Sequence, residues 1–168
     1  MQKHEKATDY LSTVTPRLIA NGFKITEDIV YKGQPFKYAA KRTKFQFEFS
    51  SFVQSFFIFA EFSDIDRTSF KEFTSKSFSY SKSFRRIPVP FVLYGLVICF
   101  PVAIVENVDT AVAKAFRSEG PPKHWTAFEM PVICDLRAKQ LYYPERTPSW
   151  GSLYWDLLRK TARTVLSP

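Results

Sequence analysis

From Ile87 to Val105 the chain runs nineteen residues without a charge, IPVPFVLYGLVICFPVAIV. That length meets the requirement for a helix crossing a bilayer. Lys82, Arg85 and Arg86 precede the run, and Glu106 and Asp109 follow it. Three prolines, Pro88, Pro90 and Pro101, interrupt it, however, and its centre is rich in Val, Ile and Phe. Proline removes a backbone donor, whereas branched and aromatic side chains suit a pleated surface. The run therefore reads as a buried strand, Val92–Val105, with proline-marked ends. A membrane is accordingly an unexpected partner.

The segments on either side read as a mixture of helices and strands. Ala7, Leu11, Val14 and Leu18 share one face of an opening helix over about Lys3–Ala20, which Asn21-Gly22 stops. Pro16 falls inside this pattern and either kinks the helix or restarts it with Thr15 as cap. Lys32-Gly33-Gln34-Pro35 reads as a hairpin turn between Asp28–Tyr31 and Phe36–Lys41. Phe45, Phe47 and Phe49 alternate with Gln46, Glu48 and Ser50, the period of a half-buried strand. A turn over Ser50–Ser55 would lead to a central strand, Phe56–Phe62. Asp66 caps a helix to about Lys82 with a stripe of Phe70, Phe73, Ser77, Tyr80 and Phe84.

Beyond the long apolar run, Asn107 or Asp109 caps a short helix ending near Gly120-Pro121-Pro122. A hairpin turns around Leu136–Lys139, and a last helix ends near Leu166. No repeat or linker divides the chain, and charge is even, with 13 basic and 9 acidic residues in 1–84 and 11 and 7 in 85–168. The expectation is one α+β domain over 1–168. Its sheet of about five to seven strands should be mainly antiparallel or mixed, with helices packed on one side.

Function is less legible. The net charge of +8 and pI near 9.5 favour acidic partners, nucleic acid or another polyanion first. Lys32, Lys37, Lys41, Arg42 and Lys44 occur without an acid between them, interleaved with Phe36, Tyr38, Phe45 and Phe47. Cations that follow a phosphate backbone beside rings that stack bases are the chemistry of single-strand binding. Arg85 and Arg86 end a second basic cluster that begins at Arg67. The expected nucleic-acid contacts are thus Lys37, Tyr38, Lys41, Arg42, Lys44, Arg85 and Arg86. The plainer explanation is a solvated strand face, since edge lysines also deter edge pairing.

Catalytic candidates are sparse: Asp28 and Glu48 as a carboxylate pair, and His124 in the loop Gly120-Pro121-Pro122-Lys123-His124-Trp125. Metal-dependent nucleases set an acid on one strand and an acid-x-Lys on the next, so that carboxylates hold the metal and the lysine steadies water. Glu48 is followed by Phe49-Ser50 and Glu61 by Phe62-Ser63, so the lysine is missing both times. A metal-dependent phosphodiesterase is the alternative to a binding module. A subunit of a protein assembly, including a homo-oligomer, is a third class, because 18 phenylalanines exceed ordinary core needs. No GxGxxG or Walker loop, Gly-x-Ser-x-Gly elbow or HExxH occurs, and no cofactor or metal is expected. Residues 1–20 carry Lys3, Glu5, Lys6 and Asp9 instead of an apolar signal core, and Cys99 and Cys134 sit among apolar residues. A reducing cytoplasm is the expected setting.

Overall fold

The computed structural model describes residues 2–85, 94–124, 127–149 and 151–168. Helix α1 (Gln2–Ala20) runs unbroken through Pro16 and buries Ala7, Tyr10, Leu11, Val14 and Leu18. Gly22, at φ +79°, closes it as a Schellman motif: its N–H donates to Ile19 O and that of Phe23 to Leu18 O. Strands β1 (Lys24–Tyr31) and β2 (Gln34–Gln46) form the expected hairpin about Lys32-Gly33.

After β2 the chain departs from its alternation. Phe47–Phe49 is a turn of 3-10 helix that ends on Ser50 at φ +46°, and β3 (Ser51–Phe62) begins there. The turn expected over Ser50–Ser55 lies a few residues earlier, and the period-two phenylalanines belong partly to the turn. Helix α2 (Arg67–Ser83) starts at Asp66, whose carboxylate accepts N–H bonds from Thr68 and Ser69. Its buried stripe is Phe70, Phe73, Thr74, Ser77, Phe78 and Ser81, with Tyr80 only half-buried at its margin. Strand β4 (Tyr94–Val105) contains the described part of the long apolar run, while residues 87–93 lie outside the described residues. Among the described residues no helix is long and apolar enough to cross a membrane.

Helix α3 (Thr110–Ser118) is capped by Asp109, and β5 (Lys123–His124), β6 (Ala127–Glu129), β7 (Val132–Asp135) and β8 (Gln140–Tyr142) follow. Asp135, almost wholly buried, ties this end together: its carboxylate accepts from Val108 N before α3 and from Ala138 N in the β7–β8 turn. Helix α4 (Ser152–Leu166) ends the chain.

Among the described residues the sheet has eight strands, more than the five to seven expected, and it is mixed. β1, β2 and β3 pair antiparallel; β3 and β4 are parallel; β6 and β7 lie in line along the far side of β4, both parallel to it. Each parallel step is bridged by a helix, α2 between β3 and β4 and α3 between β4 and β6.

The expectation of helices on one side is corrected by the packing. Phe57 and Phe59 of β3 join α1 and α4 in one apolar cluster, while Phe56, Ile58 and Ala60 of the same strand join α2 and α3 in another. A strand apolar on both faces has to be covered on both, so the helices form two layers around the sheet. Phe57 is fully buried, stacks on Phe100 at 4.4 Å and meets Phe23 edge-on at 5.3 Å. Replacing it with alanine should cost about 3–5 kcal/mol. Phe47→Ala, at a ring 85% exposed, should stay within about 0.5 kcal/mol of the parent. Chemical denaturation of the two variants measures both, and a loss below about 1 kcal/mol for Phe57→Ala would contradict this packing.

Candidate functional site

The candidate contacts separate once folded, because neighbouring residues on a strand point to opposite faces. The Lys41 ammonium lies over the rings of Phe84, at 4.1 Å, and Phe56, on the α2 side of the sheet. Arg42 turns to the other side, its guanidinium 4.6 Å from the Phe23 ring centre and its Nη1 donating to Asn21 O at 2.9 Å. Arg85, just beyond α2, is half-buried, and burial lowers its pKa. Arg86 lies outside the described residues. Lys41 meets the end of α2 through Phe84, the residue before Arg85 of the second basic cluster.

Lys37 and Asp28 face each other across the β1–β2 hairpin, Nζ to Oδ1 3.5 Å, both exposed. Asp28 has φ +49°, and around this pair the facing pattern changes: Ile25 and Tyr38 pack on the α1/α4 side, Ile29 and Phe36 on the α2 side. Tyr38 is thus half-buried, packed against the core. Glu48 sits in the turn beyond the other end of β2, roughly 30 Å of extended chain from Lys37. Asp28 and Glu48 do not converge. Among the described residues no three His, Cys, Asp or Glu side chains gather as a metal-ligand set.

Arg42, Lys44 and Glu48 do come together. They line a cleft of about 330 Å3 between the β2–β3 turn and α4. Its floor is apolar, with Phe57, Ile98 and Phe100 from the central strands, and Leu157 and Leu158 form the helical wall. The Arg42 Nε–H is buried without a hydrogen-bond acceptor among the described residues, and burial lowers the pKa of the guanidinium. A partly desolvated cation attracts an anion more strongly than one in bulk water. Lys44 stands exposed at the rim.

Two exposed rings, Phe45 and Phe47, line this cleft, and Phe52 adjoins Phe45. Phe45 and Phe52 are 38% and 47% exposed, and Phe47, on the 3-10 turn, is 85% exposed. They meet edge to face, Phe45 at 5.2 Å from Phe47 and 5.4 Å from Phe52. Sequence singled out Phe45 and Phe47 beside the lysines but took them for a half-buried strand. The αL residue Ser50, which lifts Phe47 into solvent, carries no Gly or Asn signature.

His124 has the acid neighbour that the sequence around it lacks. Its Nε2 lies 2.6 Å from Oε2 of Glu129, and its ring stacks on Phe78 at 3.7 Å. The strand pairing of β5 with β6 brings them together, a contact invisible in the spacing of the two residues. Glu129 is buried, which pushes its pKa up, against the opposing effects of His124, Lys82 and Thr74. Ser81 donates to Ser77 O and lies 3.2 Å from the buried Cys99 thiol nearby. The dyad lies on the α2 side, away from the cleft, and anchors β5 to α2 through Phe78.

A carboxyl whose folded pKa is raised contributes stability below its unfolded value, near 4.5, and that contribution is lost as pH rises through the folded value. Glu129→Gln cannot ionise. The stability of the parent minus that of Glu129→Gln should fall between about pH 4 and pH 7. Denaturant titrations at several pH values measure it, and a difference that rises over this window would show that the His124 charge outweighs burial. No protein-family model, no curated protein and no solved structure matches this chain.

Proposed function

We propose that this chain is a non-enzymatic binding module that takes a polyanion, nucleic acid first, in the cleft of Arg42 and Lys44. The observation that carries the reading is the join of two cations and three exposed phenylalanines at one end of the β2–β3 hairpin. Phosphates would sit on Arg42 and Lys44, and bases would stack on Phe47 and Phe45 in the place sequence reasoning gave to Tyr38. Stacking needs unpaired bases, which favours a single strand. The overall charge of +8 would speed the encounter. Glu48, at the same rim, sets a limit by repelling phosphate from one side. Two free, buried thiols support a reducing, cytoplasmic setting.

A second reading draws on the same rings. Phe45, Phe47 and Phe52 would also suit an interface with another copy or another subunit. Sedimentation across concentration separates the two, since an interface predicts a rising mass that Phe47→Ala abolishes. Asp28, on β1, and Glu48, in the turn after β2, lie apart, so their placement adds no support to the phosphodiesterase alternative.

Fluorescence anisotropy with labelled single- and double-stranded oligonucleotides over a salt series tests the polyanion reading. Binding should be micromolar or tighter at low salt, with a log–log slope of several. Lys44→Glu should weaken it and lower the slope by about 1. Phe47→Ala should cost about 1–3 kcal/mol on the single strand only, and Lys37→Glu should change little. No binding at low salt, or affinity untouched by Lys44→Glu, overturns the assignment.

A further inference from the structure

A second concavity lies on the opposite face of the sheet, between α3 and the chain that follows β8. It measures about 590 Å3, within the range of small-ligand sites. Lys114 and Arg117, three residues apart, share one side of α3. Tyr142 of β8 and the pair Glu145 and Arg146 form the remaining walls. Three cations thus face one carboxylate. Lys114 and Arg146 make no ion pair among the described residues.

The groove is built from irregular chain that is nonetheless held in place. Arg159 of α4, buried, reaches across to donate to Pro144 O at 3.2 Å, Glu145 O at 2.9 Å and Thr147 Oγ1 at 2.9 Å, and also to Asp156 Oδ1 on its own helix. From the other side, Glu145 N donates to Arg117 O at 3.0 Å. The Arg117 guanidinium lies 4.8 Å from the Tyr142 ring centre, and its Nε is 3.4 Å from the Glu145 carboxylate without forming a hydrogen bond. The guanidinium thus lies between the Tyr142 ring and the Glu145 carboxylate.

We infer that this groove is a second binding site, for a small ligand bearing a phosphate or diphosphate group. A planar guanidinium held by an aromatic face matches the oxygens of a phosphate, and flanking Lys114 and Arg146 add charge that is not already paired. Because the strap is braced by Arg159, little ordering is left to be done on binding. The Glu145 carboxylate on the wall opposes a continuous phosphate backbone, so a compact anion suits the groove better than a nucleic-acid strand. The inference does not rest on the cleft proposed above, and its test leaves that cleft intact.

Isothermal titration with inorganic pyrophosphate, and separately with ADP, tests it. Pyrophosphate should bind saturably with a Kd of about 1 mM or below. The double variant Lys114→Gln, Arg146→Gln, at two exposed positions, should weaken it at least about tenfold, with an unchanged melting temperature. Glu145→Gln should strengthen it, and Lys44→Glu, in the other cleft, should leave it as it is. Tighter binding of ADP than of pyrophosphate would assign the ligand an organic part lying against Tyr142. No saturable heat, or a Kd indifferent to the double variant, overturns the inference.

Discussion

Strands β3 and β4 have no polar face. Phe56, Ile58 and Ala60 look one way and Phe57 and Phe59 the other, and β4 continues the pattern with Cys99 and Ala103 against Phe100 and Val102. Such a pair cannot sit at a surface, since each buried phenylalanine contributes about 2 kcal/mol through removal from water. Both faces therefore need a helical layer, and the chain supplies α1 and α4 on one side and α2 and α3 on the other. The parallel pairing of β3 with β4 follows from the same demand, because the crossover helix α2 covers the sheet as it connects the strands.

With the centre so apolar, polar chemistry is displaced to the margins. The cleft with Arg42 and Lys44 opens where β2 and β3 extend past the cover of α4, and the groove with Arg117 lies beyond the edge of α3. His124 and Glu129 form the exception, a polar pair held inside the α2 layer by Phe78. Beneath that helix the carboxyl is kept at a raised pKa by burial.

Much of the fold was legible because its signals are local. The α1 stripe, the Asn21-Gly22 stop, the Lys32-Gly33 turn and the Asp66 and Asp109 caps each depend on neighbours within a turn or two. The two-sided helical cover was not legible, although Phe57 and Phe59 already carried the signal on the second face. The α2 stripe was misplaced toward Tyr80 and Phe84, since Thr74 and Ser81 are polar letters that the structure buries. At the candidate site, the basic run was visible but its geometry was not. The reversal of facing near Asp28 and Lys37 and the turn at Phe47–Phe49 depend on backbone angles that Asp28 and Ser50 adopt without a glycine to announce them. The Glu129 partner of His124 and the brace from Arg159 arise from tertiary contacts, which residue spacing does not encode.

Helix α4 has two duties. Leu157, Leu158 and Thr161 wall the cleft on one face of the sheet, and Arg159, between them in sequence, holds the strap that shapes the groove on the other. A single rigid element is thus the wall of one cavity and the clamp of the next. Were a guest in the first to shift the helix along its axis, the strap would be dragged with it. By thermodynamic reciprocity, occupancy of the second cavity would then alter the first by the same factor. Two cavities separated by a β-sheet would communicate through one helix, with no contact between their occupants.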